Sequence, residues 1–217
     1  MSIISHPHYK TLRLIQHPLV SSKLSLLRDK TTDHKLFREL IYEITLMLGI
    51  EATKRLPLKE QTIQTPMESC TAYFLKDPLP VILPILRAGI GMVEALLTLM
   101  PAAKVGHIGL FRNEITFLPE KYYFKVPEDC EQRHFFICDP MLATGGSAIR
   151  AVDMLKEQKV KHISSICILA APEGVETFSK KHPDVEIYLA SLDRQLNDQC
   201  FILPGLGDAG DRLFGTH

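Results

Sequence analysis

The chain has no excess of either charge: 25 Lys and Arg balance 25 Asp and Glu over 217 residues. That balance argues against a surface built mainly for nucleic-acid phosphates or anionic lipid, although a local patch stays compatible with it. No apolar run reaches the roughly 18 residues of a membrane-spanning helix. The leading MSIISHPHYK lacks the apolar core of a signal peptide. The five cysteines, an odd count, show no C-x-x-C spacing, and reduced thiols in a cytoplasmic protein are the simplest reading. The nine histidines are scattered with no H-E-x-x-H, and His6-Pro7-His8 reads as a floppy polar terminus rather than a metal site. There is no internal repeat and no low-complexity linker.

What remains is a 46% hydrophobic chain long enough to bury one core. Asp33 predicts the cap of a helix running toward Arg55, with Leu36, Phe37, Leu40, Ile41 and Ile44 at helical spacing and Pro57 beyond its end. Val81–Leu86, Val105–Phe111, His134–Cys138, Ile163–Ala170 and Val185–Ala190 read as strands. Helices are expected over Met92–Met100, from Ser147 onward and over Pro172–His182. Strands alternating with helices predict an α/β fold: a mostly parallel twisted sheet with helices on both faces, preceded by an N-terminal helical segment. The whole of 1–217 reads as a single domain, with 1–12 as a flexible leader.

The most informative stretch is HFFICDPMLATGGS, His134 to Ser147. A short apolar strand runs into one carboxylate, Asp139, and then into Thr144, Gly145, Gly146 and Ser147, small residues that leave backbone amides uncovered. A helix follows at once. Orphan amides and the positive end of a helix dipole then face the loop, which makes a phosphate cradle. The same residues also suit a tight βα turn that happens to use glycine; the strand–loop–helix context favours the cradle. No Lys follows the second glycine, so this is not a Walker loop. Asp139 stands at the carboxyl end of its strand, where open α/β sheets place ligands.

Three other places attract notice. Arg87 directly follows the Val81–Leu86 strand beside a small-residue turn, Ala88-Gly89. A charge so close to a buried strand needs a partner, either a structural carboxylate or a bound anion. Gly89-Ile-Gly91 is only part of a dinucleotide fingerprint, whose sixth position here is Glu94. Arg112-Asn113-Glu114 opens a polar, proline-bearing segment to Pro127, with Tyr122, Tyr123 and Phe124 suited to a hairpin. Finally, Pro204-Gly-Leu-Gly-Asp-Ala-Gly-Asp211 is flanked by apolar residues that would pin it, so its glycines offer backbone donors and acceptors at close range.

The nine-residue run DPMLATGGS resembles the diphosphoribose-binding motif of the type I phosphoribosyltransferases. Most of that family place two adjacent acids at the strand end. Pro140 in the second position is the pattern of the uracil phosphoribosyltransferase branch. HPLV (His17–Val20), PILRAG (Pro84–Gly89), RNE (Arg112–Glu114), AAPEG (Ala170–Gly174), HPDVEIY (His182–Tyr188) and PGLGDAGDRLFGT (Pro204–Thr216) extend the resemblance from about Leu14 to the terminus.

The resemblance implies transfer of phosphoribosyl from 5-phospho-α-D-ribose 1-diphosphate (PRPP) to uracil, giving UMP. It implies PRPP contacts from Arg87, Arg112, Asp139, Pro140, Met141, Leu142, Ala143, Thr144, Gly145, Gly146, Ser147 and Asp208. Uracil would lie against Ile202, Gly207, Asp208 and Ala209 in a base-binding segment, 199–217, and 112–127 would be a flap over the site. Arg87 and Asp139 carry the chemistry, with Asp208 as the candidate general base. Ile115 and Phe117 depart from the acidic run usual after RNE. Mg²⁺ is the implied cofactor, held mainly by the diphosphate and water with no protein metal site. A GTP effector, as in some relatives, and a homo-oligomer, dimer or higher, are further expectations; nucleic-acid and membrane partners are not. Two rivals stand beside this reading: an RNA-binding regulator on the same fold, disfavoured by the balanced charge, and a transferase for another base, disfavoured by GLGDAGD.

Overall fold

The computed structural model describes residues 2–112 and 119–216. The chain opens with β1 (Ser2–Ser5) and β2 (Leu12–Gln16), followed by α1 (Pro18–Arg28) and α2 (His34–Ala52). A hairpin of β3 (Leu58–Gln64) and β4 (Ser69–Leu75) precedes β5 (Val81–Leu86) and α3 (Val93–Leu99). Next come β6 (Lys104–Val105), β7 (His107–Arg112) and β8 (Pro119–Lys125). The second half runs β9 (His134–Cys138), β10 (Met141–Leu142), α4 (Gly146–Glu157), β11 (His162–Ala170), α5 (Pro172–Lys181) and β12 (Glu186–Leu192). It closes with β13 (Gln195–Leu196), β14 (Ile202–Leu203) and α6 (Ala209–Phe214).

The main sheet is ordered β1-β2-β12-β11-β9-β5-β7-β8, with β6 added to β5 and β10 to β11. Its interior ladders are parallel, and only the outer pairs β1–β2 and β7–β8 are antiparallel. Period-two alternation explains the apolar runs of the inner strands. Phe135 and Ile137 enter one core with α4 and α5, while Phe136 and Cys138 enter the other with α1, α2, α3 and α6. Both faces are therefore covered, as a parallel sheet requires. In that sheet β2, β12, β11, β9, β5 and β7 all point their carboxyl ends at one edge.

Local chemistry sets the element ends. The Asp33 carboxylate accepts the Leu36 N–H at 2.8 Å, capping α2 as its sequence predicts. The helix expected from Met92 starts as a 3₁₀ turn at Ala88–Met92 and becomes α-helical at Val93. Three features go beyond the sequence expectation. Helix α1 begins on Pro18, with the His17 Nδ1 accepting the Leu19 N–H. The segment β3–β4 is a separate two-stranded hairpin with Met67 and Tyr73 exposed. Ser2–Ser5, read from the sequence as part of a loose leader, pairs antiparallel with Arg13–Gln16 and forms the sheet edge, because an extended Ser-Ile-Ile-Ser segment satisfies its backbone groups there.

Candidate active site

The cradle forms at the carboxyl end of β9. After Asp139 and Pro140, β10 leans on the end of β11, with Met141 opposite Leu169 and Leu142 opposite Ala170. Gly145 then takes a left-handed conformation, φ +86°, and serves as the N-cap of α4 with no side chain capping the helix. Only glycine adopts that φ without strain. Gly146, the other glycine of the loop, is already helical. The first amides of α4 face a small cavity of about 80 Å³ between Asp139 and the Met141–Ala148 loop. Its size and its amide lining suit one phosphate. Gly174, at the start of α5, supports the loop from behind: a side chain there would strike the Ala143 carbonyl.

Asp139 is the electrostatic centre. Burial pushes its carboxyl up to about 7; the Met141 N–H, donating at 3.4 Å, opposes this, and the negative charge of Asp208 adds to it. The neighbouring thiols are inert for the same physical reason. Burial raises Cys138 well above the ordinary thiol value and Cys167 to about 12.

Arg87 projects from the end of β5 with its side chain 58% exposed. Its guanidinium reaches Asp211 at 3.2 Å and Thr216 at 3.3 Å, and Thr216 in turn donates to Asp211 at 2.8 Å. The structural-carboxylate partner that sequence reasoning set against an anion contact is thus present. Gly89 lets this turn lie on β9, since a Cβ would collide with the Cys138 carbonyl. The start of α6 lies against it too: a Cβ on Gly210 would stand 3.2 Å from Asp208 and 3.6 Å from Arg87. The Arg112 side chain and Asn113–Leu118 lie outside the described residues, so the flap expected over 112–127 is described only from Pro119, where β8 returns along β7.

The C-terminal segment supplies the third wall. Ile202 and Ala209 are buried in the same core cluster against which Met141 and Ala143 pack. Gly205 and Gly207 both have positive φ, +62° and +80°. The Asp208 Oδ1 accepts the Asp211 N–H at 2.9 Å and caps α6. A cavity of about 470 Å³ lies beside Pro204–Asp208, walled on its far side by Arg28 and Arg212. The structure thus brings Arg87, Asp139, Asp208, Gly207 and the cradle to one edge of the sheet. Arg28, Asp193, Arg212 and the packing role of Gly174 escaped sequence reasoning. The first three make contacts that carry no local spacing signal, and the last sits inside the AAPEG string.

Asp139 gives a pH-dependent test. Its carboxyl titrates near 7 in the folded chain against the ordinary 3.8. Between those values the native state holds the extra proton, so this group lowers stability as pH rises from 4 to 7. Asp139→Asn should match the unmodified protein in Tm near pH 4 and exceed it near pH 8 by about 1–3 kcal/mol, a few degrees at this chain length. Thermal denaturation across pH checks this, and a difference independent of pH would contradict the burial of the carboxyl.

Comparison with known proteins agrees with this geometry. A sequence model of the family "Uracil phosphoribosyltransferase" matches residues 14–216. A uracil phosphoribosyltransferase of Streptococcus equi subsp. zooepidemicus is 55% identical over 204 residues, 94% of this chain and 98% of that protein. One from a Geobacillus species is 53% identical over 203 residues, covering 94% and 97%. Among solved structures, the AQ2163 protein from Aquifex aeolicus superposes with a TM-score of 0.88 at 36% identity, covering 94% of this chain and 97% of that one. The adenine phosphoribosyltransferase of Trypanosoma brucei, at 13% identity and a TM-score of 0.56 over 96% and 92%, shares the fold alone. The chain belongs to the uracil phosphoribosyltransferase family.

Proposed function

We propose that the chain transfers phosphoribosyl from PRPP to N1 of uracil, forming UMP and diphosphate in pyrimidine salvage. The observation that carries this reading is the meeting of three elements at one sheet edge: a phosphate-sized cradle, a partly buried carboxylate and a glycine-rich loop. The C1–diphosphate bond loosens toward an oxocarbenium-like transition state, so positioning and neutralisation of the leaving group dominate. The loop Ala143–Ser147 anchors the 5′-phosphate, and Asp139 orients the ribose through its hydroxyls. Arg87 exchanges Asp211 for the departing diphosphate. That exchange is easy, because an exposed ion pair at 3.2 Å is worth at most about 1 kcal/mol.

As the N1–C1 bond forms, the N1 proton leaves. The Asp208 Oδ1 is committed to the α6 cap, which leaves Oδ2 to accept it. Uracil lies against Ile202 and the Gly207–Ala209 backbone. The 112–127 flap, with Arg112 as a second diphosphate contact, closes to exclude water.

Mg²⁺ fits this site as a guest of the substrate. The carboxylates lining the two cavities are Asp139, Asp208 and Asp211, the last paired with Arg87, a donor set suited to an ion that keeps water and phosphate ligands. Bound there, it would neutralise diphosphate charge. A GTP effector has a candidate seat at the opposite sheet edge, a cleft of about 410 Å³ where His134 and His162 meet Arg55 and Lys76. The exposed apolar residues of the β3–β4 hairpin support a homo-oligomer, because an isolated two-stranded ribbon is marginal in water. The five free thiols fit a cytoplasmic setting. No described helix is long and apolar enough to cross a membrane.

The direct test is UMP formation with uracil, 5-fluorouracil, cytosine and hypoxanthine as competing bases. The first two should react. Cytosine offers an amino donor where uracil offers the O4 acceptor, which leaves a buried group unpaired at about 1–3 kcal/mol. Preference for hypoxanthine would overturn the base assignment. Arg87→Ala should lose at least about a hundredfold in kcat/KM while remaining folded, since leaving-group stabilisation is lost and the core is untouched. A folded variant with near-normal activity would remove Arg87 from the chemistry.

A further inference from the structure

The Gly205–Asp208 turn has little apolar anchorage of its own; Leu206 is the one large apolar side chain it buries. Its two positive-φ glycines give it a cranked path that many other backbones of equal length could replace. Polar contacts from distant parts of the chain fix that path. The Asp193 Oδ2 accepts the Gly205 N–H at 2.9 Å, and the Arg28 Nη1 donates to the Gly205 carbonyl at 2.7 Å. The same guanidinium grips Asp193 in a two-pronged ion pair, 2.7 Å to Oδ2 and 2.5 Å to Oδ1. One residue on, the Leu206 carbonyl accepts from Arg212 at 2.9 Å.

We infer that Arg28 and Asp193 are positioning residues for base binding: together they hold both backbone groups of Gly205 and thereby aim the Gly207–Ala209 backbone at the base. This rests on reading Gly207–Ala209 as the segment that contacts uracil.

Three features set the pair apart from an ordinary surface salt bridge. The Asp193 side chain is only 2% exposed, so its charge needs every partner it has. Burial works to raise its pKa, yet the Arg28 guanidinium and the Gly205 amide hold the carboxyl below the ordinary value, so it stays ionised and accepting. The Asp193 amide also donates to the Ala170 carbonyl at 2.8 Å. The next residue of that strand end, Ala171, donates to Leu142 of the phosphate loop at 3.0 Å. The end of β11 is therefore a common reference for the phosphate cradle and the base loop. Asp193 ties the second to the first and fixes the distance between phosphate and base.

Arg28→Lys keeps the charge but loses the planar fork that grips both Asp193 oxygens while also reaching the Gly205 carbonyl. Asp193→Asn keeps the shape and an acceptor for Gly205 but loses the ion pair. Each should raise the uracil KM about tenfold, the value of one charge-assisted hydrogen bond, with the PRPP KM held within about twofold. Each should also narrow the uracil-to-cytosine preference, which a merely structural role would leave alone. Initial-rate kinetics on folded protein, confirmed by circular dichroism, provide the measurement. Should one variant fail to fold, the other carries the test, since each retains one side of the pair. Gly207→Val is the control. If it leaves the uracil KM unchanged, the base assignment falls and the inference with it. If it raises that KM while the Arg28 and Asp193 variants keep the native value, or lose uracil and PRPP affinity equally, only the positioning role is overturned.

Discussion

A carboxylate held at the end of a buried parallel strand is the constraint around which this site is built. Asp139 cannot leave the sheet edge, because β9 is locked between β11 and β5 with apolar side chains packed on both faces. Burial disfavours its charge and lifts its titration to about 7. A ligand that donates hydroxyl groups to the carboxylate reverses that penalty. The site therefore holds binding free energy in reserve for a polyhydroxyl partner, at a cost in stability that a neutral isostere would avoid.

Backbone approach is the second theme. Gly89 lies on the Cys138 carbonyl, Gly174 on Ala143, and Gly145 turns through a left-handed conformation. These contacts draw the loops after β5, β9 and β11 together. In the proposed reaction the chemistry falls to groups already fixed by the fold: amides at the start of α4, a guanidinium at the mouth and a carboxylate at the strand end. The C-terminal turn joins them through polar contacts, since its own apolar surface is small.

Much of this was legible in the sequence, and for identifiable reasons. Val81–Leu86 and His134–Cys138 are uninterrupted apolar runs, which only a strand covered on both faces sustains at that length, and both appear with the expected bounds. The Asp33 cap is a local signal and is met within three residues. The cradle was legible as strand, small residues and helix, but which glycine carries the positive φ was not, because both Gly145 and Gly146 tolerate it. The β3–β4 hairpin escaped notice because its faces are largely exposed and its pattern lacks a clean apolar side. Arg28 and Asp193 escaped for a different reason. They are 165 residues apart, and a contact of that separation leaves no period or spacing in a single chain.

The central claim is that Asp139 meets the ribose of PRPP as an ionised carboxylate, although in the free protein it titrates near neutrality. Calorimetric titration of PRPP near pH 7, repeated in buffers of different ionisation enthalpy, measures that claim directly. The unmodified protein should release more protons on binding than Asp139→Asn, by up to about half a proton per site, because a carboxyl titrating near 7 is half protonated at that pH and hydroxyl donation lowers its pKa in the complex. Equal proton release by the two proteins, with PRPP still bound by both, would contradict it.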